Sequence, residues 1–155
     1  MSITPITREN LPEWARLHAL LFPELTLEES LAECEDWFSA EPSSANWPKE
    51  MGVLYEKDGK YIGFVNISVR NDYVNGTDTS PVVFIEGIYV LPEYRSLGIG
   101  RELLEYAESF AIEKDISQLA SDCFIDNIAS EKFHKSCGFV EMERVICFVK
   151  NVGKA

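Results

Sequence analysis

The stretch from Pro81 to Glu105, "PVVFIEGIYVLPEYRSLGIGRELLE", constrains the fold more than any other part of the sequence. Its opening segment, "PVVFIEGIYV", is almost continuously β-branched or aromatic, which predicts a strand covered on both faces. A glycine-rich turn, "RSLGIG", then leads into the apolar spacing of an amphipathic helix. Strands that alternate with helices in this way predict a mixed α/β sheet covered by helices.

The other segments complete a predicted element order of ααβββαβαβ. Thr26 and Glu29 form a capping-box pattern, "DGK" after Lys57 predicts a hairpin, and Gly138 predicts a left-handed helix cap. The apolar stripe of the second helix consists of Leu27, Leu31, Cys34 and Phe38. The segment 40–51 predicts a loop by its proline and serine content. The predicted helices cover 7–22, 26–39, 98–111 and 127–138, and the predicted strands cover 52–57, 61–70, 81–90, 118–125 and 139–151.

The charge balance is strongly acidic. The chain of 155 residues carries 26 acidic and 14 basic side chains, for a net charge of −12 at pH 7. A nucleic-acid-binding protein is expected to be basic, so the composition argues against that class. Two explanations of the acidic charge stay open: a surface that keeps the protein soluble, and an acidic cleft that attracts a polycationic ligand.

The sequence predicts a cytoplasmic protein without a metal site. The first residues, "MSITPITREN", contain no apolar signal segment, and the longest apolar run, around Val82–Leu91, is too short to span a bilayer. The four cysteines form no CxxC pair, and there are only two histidines. We therefore expect four buried, reduced thiols, which are Cys34, Cys123, Cys137 and Cys147.

The turn between Arg95 and Arg101 has the composition of an anion-binding site. A helix N-terminus carries unpaired N–H groups and a partial positive charge, and glycines let that backbone approach a ligand closely. The turn is therefore suited to cradle a pyrophosphate. The alternative is an ordinary strand-to-helix turn in which the glycines serve only the geometry. The turn lacks the GK[ST] of a P-loop and the third glycine of a dinucleotide fingerprint.

Glu86 lies in the middle of the predicted buried strand. A carboxylate at such a position is costly unless it has a function or a partner. It is the candidate base or amine-orienting group, and the alternative is a buried structural glutamate paired with an arginine. The glycine that follows, Gly87, predicts a bulge or a close backbone approach. Strand alternation predicts that Glu86 and Ile88 share one face.

The turn and the later helix together resemble the GCN5-related N-acetyltransferase (GNAT) superfamily. The acyl-CoA signature of that superfamily, R/Q-x-x-G-x-G/A, is matched in full by Arg95–Gly100. The spacing of Asn127, "FH" at 133–134 and "GF" at 138–139 is similar to its later motif. The segments "DYVNGTDTSPVVFIEGIYVLPEYR", "ASD" and "GFVEMERV" further resemble the aminoglycoside 6′-N-acetyltransferases of type I, from about Arg70 to Gly153.

The resemblance implies a single N-acetyltransferase domain over 1–155, with a mostly antiparallel central sheet flanked by helices. It implies transfer of the acetyl group of acetyl-CoA to the 6′-amine of aminoglycosides, which confers resistance. It also implies a homodimer in which Glu143 reaches the neighbouring cleft. Two alternatives stay open: an acetyltransferase for a polyamine or a protein amine, and an acyl-CoA-binding sensor without catalysis.

The resemblance also assigns the residues that would hold acetyl-CoA. The N–H of Val90 would donate to the acetyl carbonyl, as an oxyanion-hole donor does. The amides from Ser96 to Arg101 would hold the pyrophosphate, and Asn127 would bind the pantetheine. The full predicted set is Ile88, Tyr89, Val90, Arg95, Ser96, Leu97, Gly98, Ile99, Gly100, Arg101 and Asn127.

The predicted substrate residues are mostly acidic or aromatic. By resemblance they are Phe22, Tyr73, Glu86, Asp122 and Glu143. Phe22 stands where relatives carry tryptophan, so it keeps a stacking face but lacks the indole N–H. The alternatives are a strand-edge hydrogen bond for Asp122, a solvent-facing position for Glu143, and a loop aromatic that covers the core for Tyr73.

His134 occupies the spacing at which the wider superfamily often has a tyrosine that protonates the departing thiolate. A histidine can serve as that acid near neutral pH. The alternative is a surface histidine without a catalytic function. His18, on the first predicted helix, receives no function from the sequence.

Overall fold

The longest strand pairing joins the two strands that bracket the polar segment at 71–81. The structure, a computed structural model, describes residues 2–40 and 52–153. Its elements are β1 (Ser2–Pro5), α1 (Leu11–Leu21), α2 (Leu27–Ser39), β2 (Gly52–Lys57), β3 (Lys60–Arg70), β4 (Val82–Val90), α3 (Ile99–Glu113), β5 (Leu119–Ala120) and α4 (Ile128–Ser136). The chain forms two compact units, Met1–Asp122 and Cys123–Ala155. The predicted single domain over 1–155 stays a prediction.

The first unit contains the sheet, in the strand order β1-β2-β3-β4-β5. All neighbouring strands are antiparallel except β4 and β5, which are parallel. The predicted fold class, a mixed and mostly antiparallel sheet with helices, is confirmed. The parallel β4–β5 pair follows from the crossover through α3, because a helix connection returns the chain in the same direction.

Helices cover the sheet of the first unit on two faces. On one face, Phe64 of β3 packs in a cluster with Trp14 and Leu17 of α1 and Cys34 of α2, all at most 1% exposed. Because side chains alternate along a strand, Gly63 faces the other side, where an added Cβ would lie 3.4 Å from Leu103 of α3. The apolar stripes predicted for the first helix and for α3 therefore lie against opposite faces.

Two short sequence signals form the local structures that they predict. Thr26 Oγ1 accepts from the Glu29 N–H at 3.1 Å, and Glu29 Oε2 accepts from the Thr26 N–H at 2.8 Å. Asp58 and Gly59 adopt φ values of 51° and 75° between β2 and β3, as a two-residue hairpin turn requires. The capping box and the hairpin are confirmed.

The element order differs from the prediction at both ends of the chain. β1, which the sequence analysis missed, has no strong strand signal and is defined by its pairing with β2. The predicted strand over 139–151 is wrong, because the structure assigns no strand to these residues. Their alternating apolar side chains suit a strand, but a strand also needs a paired neighbour for its N–H and C=O groups.

Other predictions need correction in the helices and among the cysteines. In α2 the predicted stripe is half right: Cys34 is buried and Phe38 packs against the core, whereas Leu27 and Leu31 are 59% and 38% exposed and Ser30 is buried instead. Of the four cysteines only Cys34 is buried, and burial with the nearby carboxylates of Glu33 and Glu35 raises its pKa to about 12.

The structure places the remaining cysteines closer to solvent. Cys137 is half-buried, and Cys123 and Cys147 are exposed, since the segment that carries Cys147 is not part of the sheet. The loop predicted at 40–51 lies outside the described residues from position 41 onward. Within the described ranges, no helix has the length and apolar character to cross a membrane.

The second unit contains α4 and the segment that follows it. α4 ends before Gly138, whose φ of 91° confirms the predicted left-handed cap. Arg144 connects the segment to the helix, because its Nη2 lies 3.4 Å from Glu131 Oε1. Within the helix, Glu131 also accepts from Lys135 at 2.8 Å. The hydrogen bond and the charge of Lys135 lower the pKa of Glu131.

The capping box gives a test of the fold at α2. The Thr26→Ala variant should lose about 1 kcal/mol of unfolding free energy, because the first turn of the helix loses its side-chain acceptor. Thr26→Ser retains the hydroxyl and should stay within about 0.5 kcal/mol of wild type. Urea denaturation measures both, and equal midpoints for the two variants would contradict the capping role.

Candidate active site

A β-bulge in β4 fixes the position of Glu86. Asn66 of β3 pairs with Gly87, and the next residue, Ile67, pairs with Ile85, so Glu86 is the extra residue of β4. Gly87 allows the close approach: a Cβ there would lie 2.9 Å from Asn66 Oδ1. The predicted bulge is confirmed.

The bulge also corrects the predicted alternation of β4. Directly paired residues share a face, and Tyr89 pairs with Phe64 whereas Ile88 pairs with Val65. Glu86 lines a cavity together with Asn66, on the face of Phe64. The prediction that Glu86 and Ile88 share a face is therefore wrong, because the extra residue shifts the alternation.

Glu86 is held by two residues of β3. Arg70 donates from Nη2 to Oε1 at 2.8 Å and to Oε2 at 3.1 Å, and from Nε to Oε1 at 3.2 Å. Ser68 Oγ donates to Oε1 at 2.5 Å. The guanidinium of Arg70 also lies 3.5 Å from the ring centre of Phe84, which fixes its plane.

This arrangement contains the arginine partner that the structural alternative requires. The Glu86 side chain nevertheless stays 30% exposed and lines a cavity, so it is not an interior ion pair. Oε1 accepts three of the four hydrogen bonds, and Oε2 accepts one among the described residues. A carboxylate oxygen can accept more than one bond, so Oε2 retains the capacity to contact a ligand.

The cavity beside Glu86 lies between the sheet and the helices α1 and α2. It encloses about 270 Å³, and the residues on its walls include Trp14, His18, Phe22, Glu33, Asn66 and Glu86. The structure thus brings together two of the predicted substrate residues, Phe22 and Glu86. An aromatic ring at the end of α1 and a carboxylate on the sheet can bind the apolar face and the ammonium group of an amino sugar, respectively.

Sequence reasoning missed His18, which is 8% exposed on this cavity wall. Its Nδ1 hydrogen-bonds the hydroxyl of Ser30, and its ring centre lies 4.6 Å from that of Phe22. Burial lowers the pKa of His18, and the charge of Glu24 partly offsets that effect. The imidazole is therefore biased toward the neutral form in the folded protein.

The sequence contained a signal for the partners of Glu86. Asn66, Ser68 and Arg70 are polar residues at alternate positions of an otherwise apolar strand. A spacing of two places all three on one face of β3, so that they present polar groups to one region of the neighbouring strand.

The C-terminal half of β4 has an open edge. Leu91 N–H donates to Ile62 at 2.9 Å, and Val90 pairs with Gly63. Hydrogen-bonded and non-hydrogen-bonded pairs alternate in an antiparallel ladder, so the N–H groups of Val90 and Ile88 point away from β3. On that side β5 pairs with Val83 and Phe84, and the described sheet has no strand beside β4 beyond them.

The turn that follows β4 presents its backbone to solvent. Ser96 and Gly98 have φ values of 65° and 85°, and a conformation of this kind directs successive N–H groups toward one side. α3 begins after Gly98 without a side-chain cap. An added Cβ at Gly98 would meet no atom within 4 Å, so there is room for a ligand at the turn. These features fit a diphosphate.

The two arginines of the turn differ in their described contacts. Arg95 donates from Nε to the Val90 carbonyl at 2.8 Å, and its guanidinium lies 5.2 Å from the ring centre of Tyr89. Arg95 therefore connects the turn to the end of β4. Arg101 is exposed in the first turn of α3. In the same segment Leu97 is 60% exposed, whereas Ile99 is 3% exposed and anchors the helix start in the core.

Two further predicted substrate residues of the first unit lie outside the cavity wall. Tyr73 is 78% exposed, so it does not cover the core as its alternative function requires. Its neighbour Val74 packs instead with Val82, Phe84 and Ala120. Asp122 is exposed and follows β5 rather than lying in it, because that strand ends at Ala120.

The second unit contains the other three predicted residues. Asn127 caps α4, where its Oδ1 accepts from the Ser130 N–H at 3.1 Å. The Nδ1 of His134 lies 2.7 Å from the Ser130 carbonyl oxygen, which can only accept, so Nδ1 carries a hydrogen. Glu143 is exposed in the segment after α4.

Comparisons with known proteins agree on one family. The sequence model of the "Acetyltransferase (GNAT) family" matches residues 11–139. The chain is 37% identical to the aminoglycoside N(6′)-acetyltransferase type 1 of Salmonella typhimurium, over 97% of this chain and 99% of the relative. It is also 37% identical to the protein of that name from Acinetobacter baumannii, over 99% and 100% of the two chains.

Solved structures give the same result. The crystal structure of the 6′-N-acetyltransferase AAC(6′)-Ih from Acinetobacter baumannii matches with a TM-score of 0.84 and 38% identity, over 98% of this chain and 99% of that one. AAC(6′)-Iy in complex with the bisubstrate analogue CoA-S-monomethyl-acetylneamine matches with a TM-score of 0.83 and 35% identity, over 97% and 98%.

The lowered pKa of His18 predicts a pH effect on stability. The unfolded chain, with a histidine pKa of about 6.5, takes up the proton before the folded protein does, so folding stability is lost as the pH falls below that value. Between pH 7 and pH 5 the unfolding free energy of wild type should fall more than that of His18→Gln. Parallel curves for the two proteins in urea denaturation would contradict this prediction.

Proposed function

Because the chain belongs to the acetyltransferase (GNAT) family, we propose that it transfers the acetyl group of acetyl-CoA to the 6′-amino group of aminoglycosides. Antibiotic resistance is the expected consequence. The observation that carries the proposal is the position of Glu86, on a cavity wall and within the strand whose next residues have an open edge. In this proposal Glu86 would serve the amine, and the backbone donors of the same strand would serve the thioester.

The acetyl donor supplies an activated acyl group as a thioester. The turn from Ser96 to Arg101 would hold its diphosphate through backbone N–H groups, supported by the left-handed conformations and the uncapped start of α3. Ile88, Tyr89 and Val90 would bind its pantetheine arm along the open edge of β4. The N–H of Val90 would donate to the acetyl carbonyl oxygen.

Glu86 would prepare the acceptor amine. An ammonium group has no lone pair and must lose a proton before it attacks a carbonyl carbon. The described contacts of Glu86 leave Oε2 as the oxygen that would orient the ammonium and receive its proton, directly or through a water molecule. Phe22 would stack on the sugar ring at the same cavity. Tyr73, Asp122 and Glu143 would contact the remaining parts of the aminoglycoside.

Two residues of the second unit, Asn127 and His134, receive functions from the family resemblance. Asn127 would hydrogen-bond the pantetheine, and His134 would return a proton to the departing thiolate. The protein would act in the cytoplasm, where acetyl-CoA is made.

We further propose that the enzyme is a homodimer. Support comes from residues 139–152, which are rich in strand-forming apolar residues yet form no strand within the described chain. Val140, Phe148 and Val149 in this segment are 76%, 87% and 92% exposed. Exposed apolar side chains in such a row are typical of an interface. Glu143, in the same segment, would then reach the cleft of the neighbouring protomer.

Neomycin and paromomycin give a matched test of the acceptor group, since the 6′ substituent is an amine in the first and a hydroxyl in the second. With acetyl-CoA, neomycin should release free thiol in a steady-state assay and paromomycin should not. Similar rates with both, or faster turnover of spermidine or a lysine peptide, would contradict the proposed acceptor.

The function of Glu86 is tested by Glu86→Gln, which keeps the shape and the contact with Arg70 but cannot take up a proton. We expect kcat to fall by about 10² or more, the range of general acid–base catalysis. Glu105→Gln, an exposed position on α3, makes the same change of net charge and should leave kcat unaltered. A kcat for Glu86→Gln within about twofold of wild type would exclude the proposed function of this carboxylate.

A further inference from the structure

The cavity has a second carboxylate to which the sequence analysis assigned no function. Glu33, on α2, lines the cavity that Glu86 borders from the sheet side. Its side chain is 58% exposed, and within the described ranges no lysine or arginine lies within salt-bridge distance of it. A ligand that enters this cavity therefore meets one carboxylate from the sheet and another from the helix wall.

His18 lies between Glu33 and the interior. Its Nε2 is 3.9 Å from Glu33 Oε2, and its Nδ1 is anchored by the hydroxyl of Ser30. Ser30 is completely buried, which excludes it as a nucleophile and leaves it as a fixed anchor. With the ring held at Nδ1, Nε2 is the nitrogen directed toward the Glu33 carboxylate.

Two buried polar atoms on the same cavity wall point independently to a ligand. Trp14 Nε1 and Asn66 Oδ1 have no hydrogen-bond partner among the described residues, although Trp14 and Asn66 are only 1% and 6% exposed. A buried polar group without a partner is unfavourable, because it has lost its hydrogen bonds with water. One donor and one acceptor of this kind on a single cavity are expected where a polar ligand completes the hydrogen bonding.

We propose that Glu33 is an acceptor-binding residue that pairs with a second ammonium group of the aminoglycoside, and that His18 is the positioning residue that holds Glu33 in place. This inference rests on the proposed function and names a specificity determinant for it. An acceptor with several ammonium groups can pair with Glu86 and Glu33 at once, whereas an acceptor with one amine cannot. The cavity thereby favours polycationic acceptors over simple amines.

The test uses steady-state kinetics with acetyl-CoA and neamine, an aminoglycoside with several amino groups. Glu33→Gln should raise the KM for neamine about fivefold, the size of an exposed charge pair, with kcat and the KM for acetyl-CoA unchanged. Glu28→Gln is the matched control, because it removes one charge from the same helix at an exposed position away from the cavity. Equal KM values for Glu33→Gln and Glu28→Gln would overturn the inference.

A double-mutant cycle separates positioning from general support of the fold. His18→Leu should raise the KM for neamine in the wild-type background but have little further effect when Glu33 is already glutamine. His18→Gln, which keeps a polar group beside Glu33, should restore most of the affinity. Additive effects of His18→Leu and Glu33→Gln would overturn the positioning function.

Failure of wild type to acetylate neamine would overturn the proposed function together with this inference. Normal wild-type turnover with no effect of Glu33→Gln would overturn the inference alone.

Discussion

The extra residue in β4 is the constraint on which the site depends. A strand paired regularly with β3 would alternate its side chains without interruption, and the carboxylate of Glu86 would then share a face with Ile88. The bulge in β4, opposite Asn66 and Ile67 of β3, turns that carboxylate toward the face that α1 and α2 cover. Arg70 and Ser68 of β3 hold it there by hydrogen bonds. Gly87 suits the position next to it, because an added Cβ would lie 2.9 Å from Asn66 Oδ1 and one of the two residues would have to shift.

After the bulge, β4 continues with an open edge, and the turn into α3 follows the strand. β5 is too short to cover β4 beyond Phe84, so the N–H groups of Ile88 and Val90 are directed to an unpaired side. The chain then passes through two left-handed residues into α3. Within about fifteen residues, one segment provides a carboxylate, backbone donors and a helix N-terminus, which are the groups that acetyl transfer to an amine uses.

Sequence predicted the parts of the fold that local chemistry determines. The Thr26–Glu29 capping box, the Asp58–Gly59 turn and the amphipathic α3 each depend on residues close together in the chain. β1 and the segment 139–152 depend on distant pairing, and there the predictions failed in opposite directions. Ser2–Pro5 has a weak strand signal but forms β1 because it pairs with β2. Residues 139–151 have a strong strand signal but form no strand, because no described segment pairs with them.

The candidate site shows the same division. Glu86 stood out because a charged residue interrupts an apolar run, and the turn stood out because its glycines match a known signature. The positions of His18 and Glu33 on the cavity wall could not be predicted from the sequences of α1 and α2. In α2 the apolar spacing would place Leu27 and Leu31 toward the core, although both are exposed. The burial of Ser30 and Cys34 decides which side of α2 faces the sheet, and only packing reveals it.

The most direct test is a crystal structure of the protein with a bisubstrate analogue that joins coenzyme A to the 6′-nitrogen of neamine. We expect the diphosphate at the amides that begin α3, the carbonyl-side linker at the Val90 N–H, and the first sugar ring in the cavity between Phe22 and Glu86. An analogue bound with its diphosphate at the turn but its sugar ring away from Glu86 would contradict the assignment of the acceptor site. A diphosphate bound elsewhere on the protein would contradict the account as a whole.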